Sequence, residues 1–227
     1  MNGSDVFRAL ETHGVKTLHH ANTVTTSCTF LRERGLASRK YVESRGLPQT
    51  SQYSDADDKR FGIWNDVFTD GVDIHLRGRM RNNYGPVLFS IPATALLDLP
   101  RQTEVLVART NPVHWKDTDE PDQRYFVTPE ELIEGYEYGD FGQHVIFRNA
   151  EGFVPFADST VQILLDDPQH ALRNGHDAYS HAFEQLSRAA NEHNIRLEIR
   201  KRECDPRCRC LTGHKLSYDR ANLDFLF

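Results

Sequence analysis

Four residues that can bind a metal lie close together near the C-terminal end of the sequence. They are Cys204, Cys208, Cys210 and His214, which supply three thiols and one imidazole. Four sulfur and nitrogen ligands satisfy tetrahedral zinc, and a site without a vacant position is structural rather than catalytic. The sequence therefore predicts a structural zinc site in this tail. The spacing also leaves open reduced thiols without a metal, or a Cys208/Cys210 redox pair.

A histidine with small polar neighbours forms a second group of candidate residues. His20 ends a stretch that alternates apolar and polar side chains from residue 15, and Ala21 and Asn22 follow it directly. The alternation predicts a strand. A histidine and a short amide beside exposed backbone offer hydrogen-bonding groups that suit a ribose. The alternative is a strand-end histidine that lies on the surface or is satisfied within the core.

The composition limits the function classes open to these residues. The chain has 227 residues and a formal net charge of −6, which suits one domain, or one domain plus a small appendage. Its apolar runs are far shorter than the roughly 18 residues that cross a bilayer, so we expect no membrane segment. The N-terminus lacks the features of a secretory signal, which favours a cytoplasmic location. Because the net charge is negative, nucleic-acid contact requires a local patch.

The elements predicted from hydrophobic periodicity place both groups on an α+β fold. Strands are expected at 15–20, 87–91, 104–107, 144–148, 161–165 and 197–199, and helices at 5–14, after a cap at Thr26 or Ser27, after a cap at Thr128, and at 176–193. Residues 40–83 show weak periodicity, which is typical of a functional loop. We expect a core domain over 1–168, and an appendage of helix, strand and zinc knuckle over 169–227.

The first strand and the segment behind it resemble the first motif of the ADP-ribosyltransferase superfamily. The matching strings are Leu18-His19-His20-Ala21-Asn22 and Gly35-Leu36-Ala37-Ser38-Arg39. That superfamily includes poly(ADP-ribose) polymerases, RNA 2′-phosphotransferases and DarT-type toxins that modify DNA bases. The resemblance implies a split β-sheet core and NAD as co-substrate. It also implies that His20 contacts the nicotinamide ribose, with Ala21 as the small residue and Asn22 in place of the usual Thr or Ser.

Two further motifs of the family have counterparts here. Tyr84, before the strand at 87–91, matches the aromatic residue that stacks on nicotinamide, although it also fits a plain strand-edge aromatic. The third motif is a loop and a strand headed by a catalytic glutamate, whose negative charge stabilises the ribosyl cation. Here Gln143 or His144 takes that place. Of the nearby glutamates, Glu104 comes early in the chain and Glu151 lies at a turn.

We therefore hypothesise that Gln143 stands at the catalytic glutamate position. Glutamine keeps the size and hydrogen bonding of glutamate without its charge. The hypothesis implies either that the chain is an inactivated variant of a toxic enzyme or that the enzyme works without that glutamate.

The segment from 39 to 75 fits the long loop with which DarT-like enzymes cover NAD and the target base. The resemblance implies that Ser38, Arg39 and Arg45 bind NAD, the two arginines through its pyrophosphate. It also implies that the target meets three neighbouring residues, with the tryptophan stacking on a base: Trp64, Asn65 and Asp66. Solvated arginines and a tryptophan in a small satellite core are the alternatives.

The function implied by the resemblance is transfer of ADP-ribose from NAD to a macromolecule. A nucleic acid, RNA or DNA, is the favoured acceptor, in the manner of a toxin or anti-phage effector that travels with an antitoxin protein. Protein is the alternative acceptor. Two other functions stay open, namely a non-catalytic nucleic-acid or protein-binding module that uses the zinc tail, and an RNA 2′-phosphotransferase-like reaction.

Overall fold

The computed structural model describes residues 1–52, 54–74, 84–156, 160–203 and 220–227. Within these residues it contains eight α-helices and nine strands in three sheets, which agrees with the predicted α+β class. The helices are α1 Gly3–Thr12, α2 Val24–Glu33, α3 Arg39–Ser44, α4 Asp55–Arg60, α5 Pro121–Arg124, α6 Pro129–Gly135, α7 Ala178–Glu192 and α8 Arg220–Leu226. The strands are β1 Thr17–Asn22, β2 Gly35–Ala37, β3 Val67–Thr69, β4 Val87–Pro92, β5 Glu104–Val107, β6 Val145–Arg148, β7 Phe153–Pro155, β8 Val161–Asp167 and β9 Leu197–Glu203. Short 3-10 helices cover Ala93–Leu97 and Pro112–His114.

The main sheet has four strands in the order β1-β4-β8-β9. All neighbours are antiparallel except β8 and β9, which run parallel. The register sets His20 opposite Phe89 and Asn22 opposite Val87. A three-stranded antiparallel sheet, β3-β6-β5, and the short pair β2-β7 complete the architecture. The predicted strand near the N-terminus is therefore an edge strand of the main sheet.

Local capping explains where the helices begin. Thr23 accepts a hydrogen bond from the Thr26 amide, so α2 begins at Val24, slightly earlier than the predicted cap at Thr26 or Ser27. The predicted cap at Thr128 is confirmed, since its hydroxyl accepts from the Glu131 amide. The residue order Thr-Pro-Glu-Glu thus specifies the start of α6 by itself.

The connection from β8 to β9 passes through α7, the longest described helix. Its buried face includes Ala182, Leu186 and Ala189, and this face packs against α2. The boundary expected near residue 168 falls between two strands of one sheet, because β9 pairs along the whole of β8. Residues 178–203 therefore belong to the main core rather than to an appendage. The predicted zinc knuckle lies outside the described residues.

Two hydrophobic clusters hold the fold together. The larger one lies between the main sheet and the helices, with Leu10, Leu18, Phe30, Phe89 and Leu186 among its fully enclosed side chains. The smaller one packs the three-stranded sheet against nearby loops through Ile63, Leu106, Ala108, Trp115, Tyr125 and Ile146. No helix in the described part of the chain has the length and apolar character needed to cross a membrane.

The shared core predicts the behaviour of a truncated chain. A fragment of residues 1–168 loses α7, β9 and α8, which exposes the apolar side of α2 and leaves one edge of β8 unpaired. We expect this fragment to lack cooperative unfolding, measured by near-ultraviolet circular dichroism in a urea titration, whereas the full chain unfolds in one step. A fragment that unfolds cooperatively at the full chain's midpoint would contradict the single core.

Candidate functional site

An open cleft with a cavity volume of about 140 Å³ lies beside the ends of β1, β2 and β3. Seven of the residues proposed from the sequence line it, and they come from four separate segments of the chain: His20, Ala21, Asn22, Ser38, Arg39, Asp66 and Tyr84. The 3-10 helix Pro112–His114 and the residue before β6 contribute to the cleft from another part of the chain. The fold therefore brings together seven of the eleven residues that the resemblance assigns to NAD, the target or catalysis.

The other proposed residues of the long loop have different surroundings. The Arg45 guanidinium lies 3.7 Å from the ring centre of Tyr41. The Asn65 amide donates to the carbonyls of Asn149 and Ala150. Trp64 is absent from the cleft lining, but the guanidinium of a lining residue, Arg39, lies 5.6 Å from its ring centre. Trp64 is thus a neighbour of the cleft, whereas Asn65 supports the backbone near it.

Gln143 is buried and does not line the cleft. Its amide oxygen accepts from the Glu137 amide at 2.7 Å, and its amide nitrogen donates to the Gly135 carbonyl at 3.0 Å. These bonds fix the chain that follows α6. Glu104 and Glu151, the other glutamates near the third motif, do not line the cleft either.

The ring of His20 is held in one orientation. Its Nδ1 lies 2.6 Å from the carbonyl oxygen of Phe68. Because a carbonyl oxygen can only accept a hydrogen bond, Nδ1 carries the proton. Its Nε2 lies 3.4 Å from the side-chain amide nitrogen of Asn22. The rings of Phe30 and Phe89 pack against the imidazole. Burial lowers the pKa of His20, although the Phe68 carbonyl acts in the opposite sense. His20 is therefore a neutral donor at Nδ1 and an acceptor at Nε2.

A close backbone contact positions Tyr84 next to the end of β1. Gly85 has a φ of +134°, and a Cβ at this position would lie 2.2 Å from the carbonyl of Asn22. The Asn22 side chain in turn accepts from the Thr23 amide at 2.9 Å. Only glycine lets the chain pass this closely, so Gly85 fixes the spacing between Tyr84 and Asn22.

Ser38 and Arg39 begin α3 at the edge of the cleft. The Ser38 hydroxyl caps this helix by accepting from the Tyr41 amide at 3.0 Å. Arg39 donates to the Thr50 carbonyl and forms an ion pair with Asp55 at 2.9 Å. The guanidinium is therefore oriented by its own loop, and any anion in the cleft competes with Asp55 for it.

Carboxylates dominate the charge of the cleft. Its lining contains Asp57, Asp58, Asp66 and Asp70. Burial raises the pKa of Asp58 to about 6, while a hydrogen bond from the Ser54 hydroxyl opposes this rise. Burial also raises the pKa of Asp66, although the Arg148 guanidinium at 2.6 Å counteracts it. A cleft of this composition favours a cationic group or a developing positive charge.

Three of these aspartates carry no signal in the sequence, and His144 is predicted there only as an alternative to Gln143. Asp57 and Asp58 lie in α4, whereas Asp70 follows β3 and His144 precedes β6. No local pattern marks them, because a lone aspartate in a polar loop is ordinary. The approach of Asp70 and His144 to each other in the cleft depends on the pairing of β3 with β6, which joins segments far apart in the chain.

Metal binding in the described residues has no support from geometry. In those parts of the chain no three His, Cys, Asp or Glu side chains are grouped so that they hold a metal ion. The predicted zinc ligands Cys204, Cys208, Cys210 and His214 lie outside the described residues. Cys28 is buried, and burial raises the pKa of its thiol to about 11, so it is an unreactive core residue.

No model of a known protein family matches this chain, and no curated protein matches it. The interpretation of the cleft therefore rests on its own residues and on the motif resemblance. Around one opening, the cleft contains the neutral histidine His20, the partly exposed side chain of Tyr84 and several carboxylates.

Replacing Gly85 tests the close contact at the end of β1. Gly85→Ala combines an unfavourable backbone conformation with a steric clash, so we expect a loss of about 3 kcal/mol in the free energy of unfolding, measured with urea. Gly14→Ala is the matched control, because Gly14 also has a positive φ but its Cβ would meet open space. The control should lose about 1 kcal/mol. Equal losses in both variants would contradict the contact.

The pH dependence of stability tests the environment of Asp58. Because its pKa is raised to about 6 in the folded protein, the carboxylate costs stability as pH rises from about 4 to above 6. Asp58→Asn removes this cost and keeps an acceptor for Ser54, so the variant should be more stable than wild type at pH 7, by up to about 3 kcal/mol. The difference should vanish below pH 4.

Asp117 provides the control with the opposite sign. Its ion pair with Arg60 lowers its pKa, so Asp117 stabilises the protein above its unfolded pKa and this contribution disappears as pH falls. Asp117→Asn should therefore be less stable than wild type at pH 7. Differences that stay constant from pH 4 to pH 8 would contradict the assignment for Asp58.

Proposed function

We propose that this chain is an NAD-dependent ADP-ribosyltransferase with the split-sheet core of that superfamily, and that it modifies a nucleic acid at an RNA or DNA base. One observation carries the proposal. The residues that the resemblance assigns to NAD come from separate segments, and all but Arg45 line the same cleft: His20, Ala21, Asn22, Ser38, Arg39 and Tyr84. A chance resemblance gives no reason for these segments to meet.

The nicotinamide riboside half of NAD fits the side of the cleft at the end of β1. In the proposal, His20 and Asn22 provide hydrogen bonds to the ribose hydroxyls, since both are oriented before ligand arrives. Tyr84 is 38% exposed and lines the cleft, and the proposal assigns its ring to stacking on nicotinamide. The two roles are consistent because Gly85 holds Tyr84 next to Asn22.

The charge of the cleft suits the reaction. Positive charge develops on the ribose as nicotinamide leaves, and an anion nearby stabilises it. The proposal gives this role to the cleft aspartates rather than to Gln143, whose amide is committed to backbone bonds. For the phosphates, the proposal relies on the guanidinium of Arg39, which lines the cleft and is oriented by the Thr50 carbonyl and Asp55.

The nucleic-acid acceptor has support at the edge of the cleft. The ring of Trp64 has Lys59 Nζ at 4.2 Å and the Arg39 guanidinium at 5.6 Å from its centre. An aromatic ring with cations beside it suits an unpaired base and its phosphates. Modification of nucleic acid damages the cell that makes the enzyme, so the proposal includes a toxin or anti-phage role and an antitoxin partner.

A transfer assay with Tyr84 variants tests the function. Purified protein is incubated with adenine-labelled NAD and with RNA, DNA or total protein in parallel, and we expect label on one nucleic acid. Tyr84→Ala removes the stacking surface and should raise the KM for NAD about tenfold or more, since stacking on an aromatic contributes about 1–3 kcal/mol. Tyr84→Phe keeps the ring and should stay close to wild type.

Tyr138→Ala is the matched control, because Tyr138 is exposed and lies outside the cleft lining. It should leave transfer unchanged.

Gln143→Glu tests whether position 143 or the cleft aspartates stabilise the positive charge on the ribose. A glutamate carboxylate cannot donate to the Gly135 carbonyl as the Gln143 amide does. If Gln143 serves only to hydrogen-bond the backbone, the variant should therefore lose stability without gaining activity. A wild-type chain that neither transfers label nor binds NAD in calorimetry would overturn the proposal.

A further inference from the structure

The cleft that contains the residues assigned to NAD is also lined by His144, to which the function above gives no role, and by its hydrogen-bonded partner Asp70. His144 precedes β6, Asp70 follows β3, and both line the cleft. Nδ1 of His144 lies 2.7 Å from a carboxylate oxygen of Asp70. Both side chains are largely enclosed, at 13% and 20% exposure. The pair is therefore sheltered from solvent and faces the space where a reaction would occur.

The hydrogen bonds around His144 define which ring nitrogen carries the proton. The Asp70 carboxylate accepts, so Nδ1 donates. On the other side, the Asn111 amide nitrogen lies 3.3 Å from Nε2 of His144. The Asn111 side-chain oxygen already accepts from the Val113 amide, so the nitrogen is the atom turned to the ring. Because both contacts place the ring proton on Nδ1, Nε2 has a lone pair that can accept a proton.

The same part of the fold connects this pair to the NAD side of the cleft. The carbonyl of Phe68 accepts from His20, and the ring of Phe68 packs edge-on against His144 at 5.8 Å between ring centres. One residue of β3 thus lies between the two histidines.

We infer that His144 is the general base that activates the acceptor, and that Asp70 is the positioning residue that orients it. The inference rests on the proposed function. It implies an acceptor whose attacking atom carries a proton, an N–H or O–H group. That group takes the place of the long Asn111 contact and donates to Nε2 of His144.

The step balances without any further reactant. A bond forms between the acceptor nitrogen or oxygen and C1′ of the ribose, while the bond from C1′ to the nicotinamide nitrogen breaks. The electron pair of the broken bond remains on nicotinamide, which leaves as a neutral ring. The proton of the acceptor passes to Nε2 of His144, and nothing is oxidised or reduced.

The test compares transfer rates of variants on the polymer that wild type labels. His144→Ala should lower kcat about 100-fold and leave the KM for NAD within about threefold, because general bases contribute 10²–10⁴-fold to rate. Added imidazole should restore at least about tenfold of the loss, a recovery that a structural role would not give. Asp70→Asn should lower kcat about tenfold or more, since it no longer orients the ring as a carboxylate does.

His114→Ala is the control, because His114 is exposed in the neighbouring 3-10 helix and lies outside the cleft lining. His144→Gln excludes misfolding as the cause of lost activity. It should be as inactive as His144→Ala, while its melting temperature stays near that of wild type. If wild type transfers label and His144→Ala keeps a near-normal kcat, the role of His144 is overturned while the proposed function stands. The same holds if the variant is folded and inactive but imidazole does not restore its activity. Absence of transfer by wild type overturns the proposed function and this inference with it.

Discussion

Two backbone hydrogen bonds between His19 and Asp70, each 2.8 Å long, join the four-stranded sheet to the three-stranded sheet. The next residue in β1 is His20, whose ring reaches the Phe68 carbonyl two residues before Asp70. The Asp70 side chain extends to His144. A single junction between two sheets therefore orients both histidines of the cleft. A shift of one residue in this pairing would turn His20 to the other face of the sheet.

The environment around this junction determines where charge is tolerated. Phe30 and Phe89 remove water from His20, which keeps the imidazole neutral. Across the cleft the carboxylates of Asp57, Asp58 and Asp70 face the same opening. Positive charge is thus unfavourable on His20 and favourable on a ligand bound between these groups. This division of charge suits a reaction in which positive charge develops on the bound ligand more than the binding of a neutral metabolite.

Local signals in the sequence were sufficient for several elements. The alternation before His20 gave β1, the Thr128 cap gave the start of α6, and the apolar face of α7 was visible in its spacing. Each depends on contacts within a few residues, which is why periodicity and capping rules detect them. The parallel pairing of β8 with β9 was not visible, because it joins strands separated by a whole helix. The expected boundary at residue 168 came from that limitation.

The same distinction holds for the cleft. The sequence by itself determined that a strand runs to His20 with Ala21 and Asn22 directly after it, because adjacent residues remain adjacent in any fold. The structure extends β1 through Asn22. Only the tertiary structure decided that Tyr84 meets them, that the amide of Gln143 turns to backbone, and that Asp70 meets His144 across 74 residues. The physical reason is that side-chain direction and partner follow from strand register and burial. Both are set by contacts between distant segments, and the order of residues does not contain them explicitly.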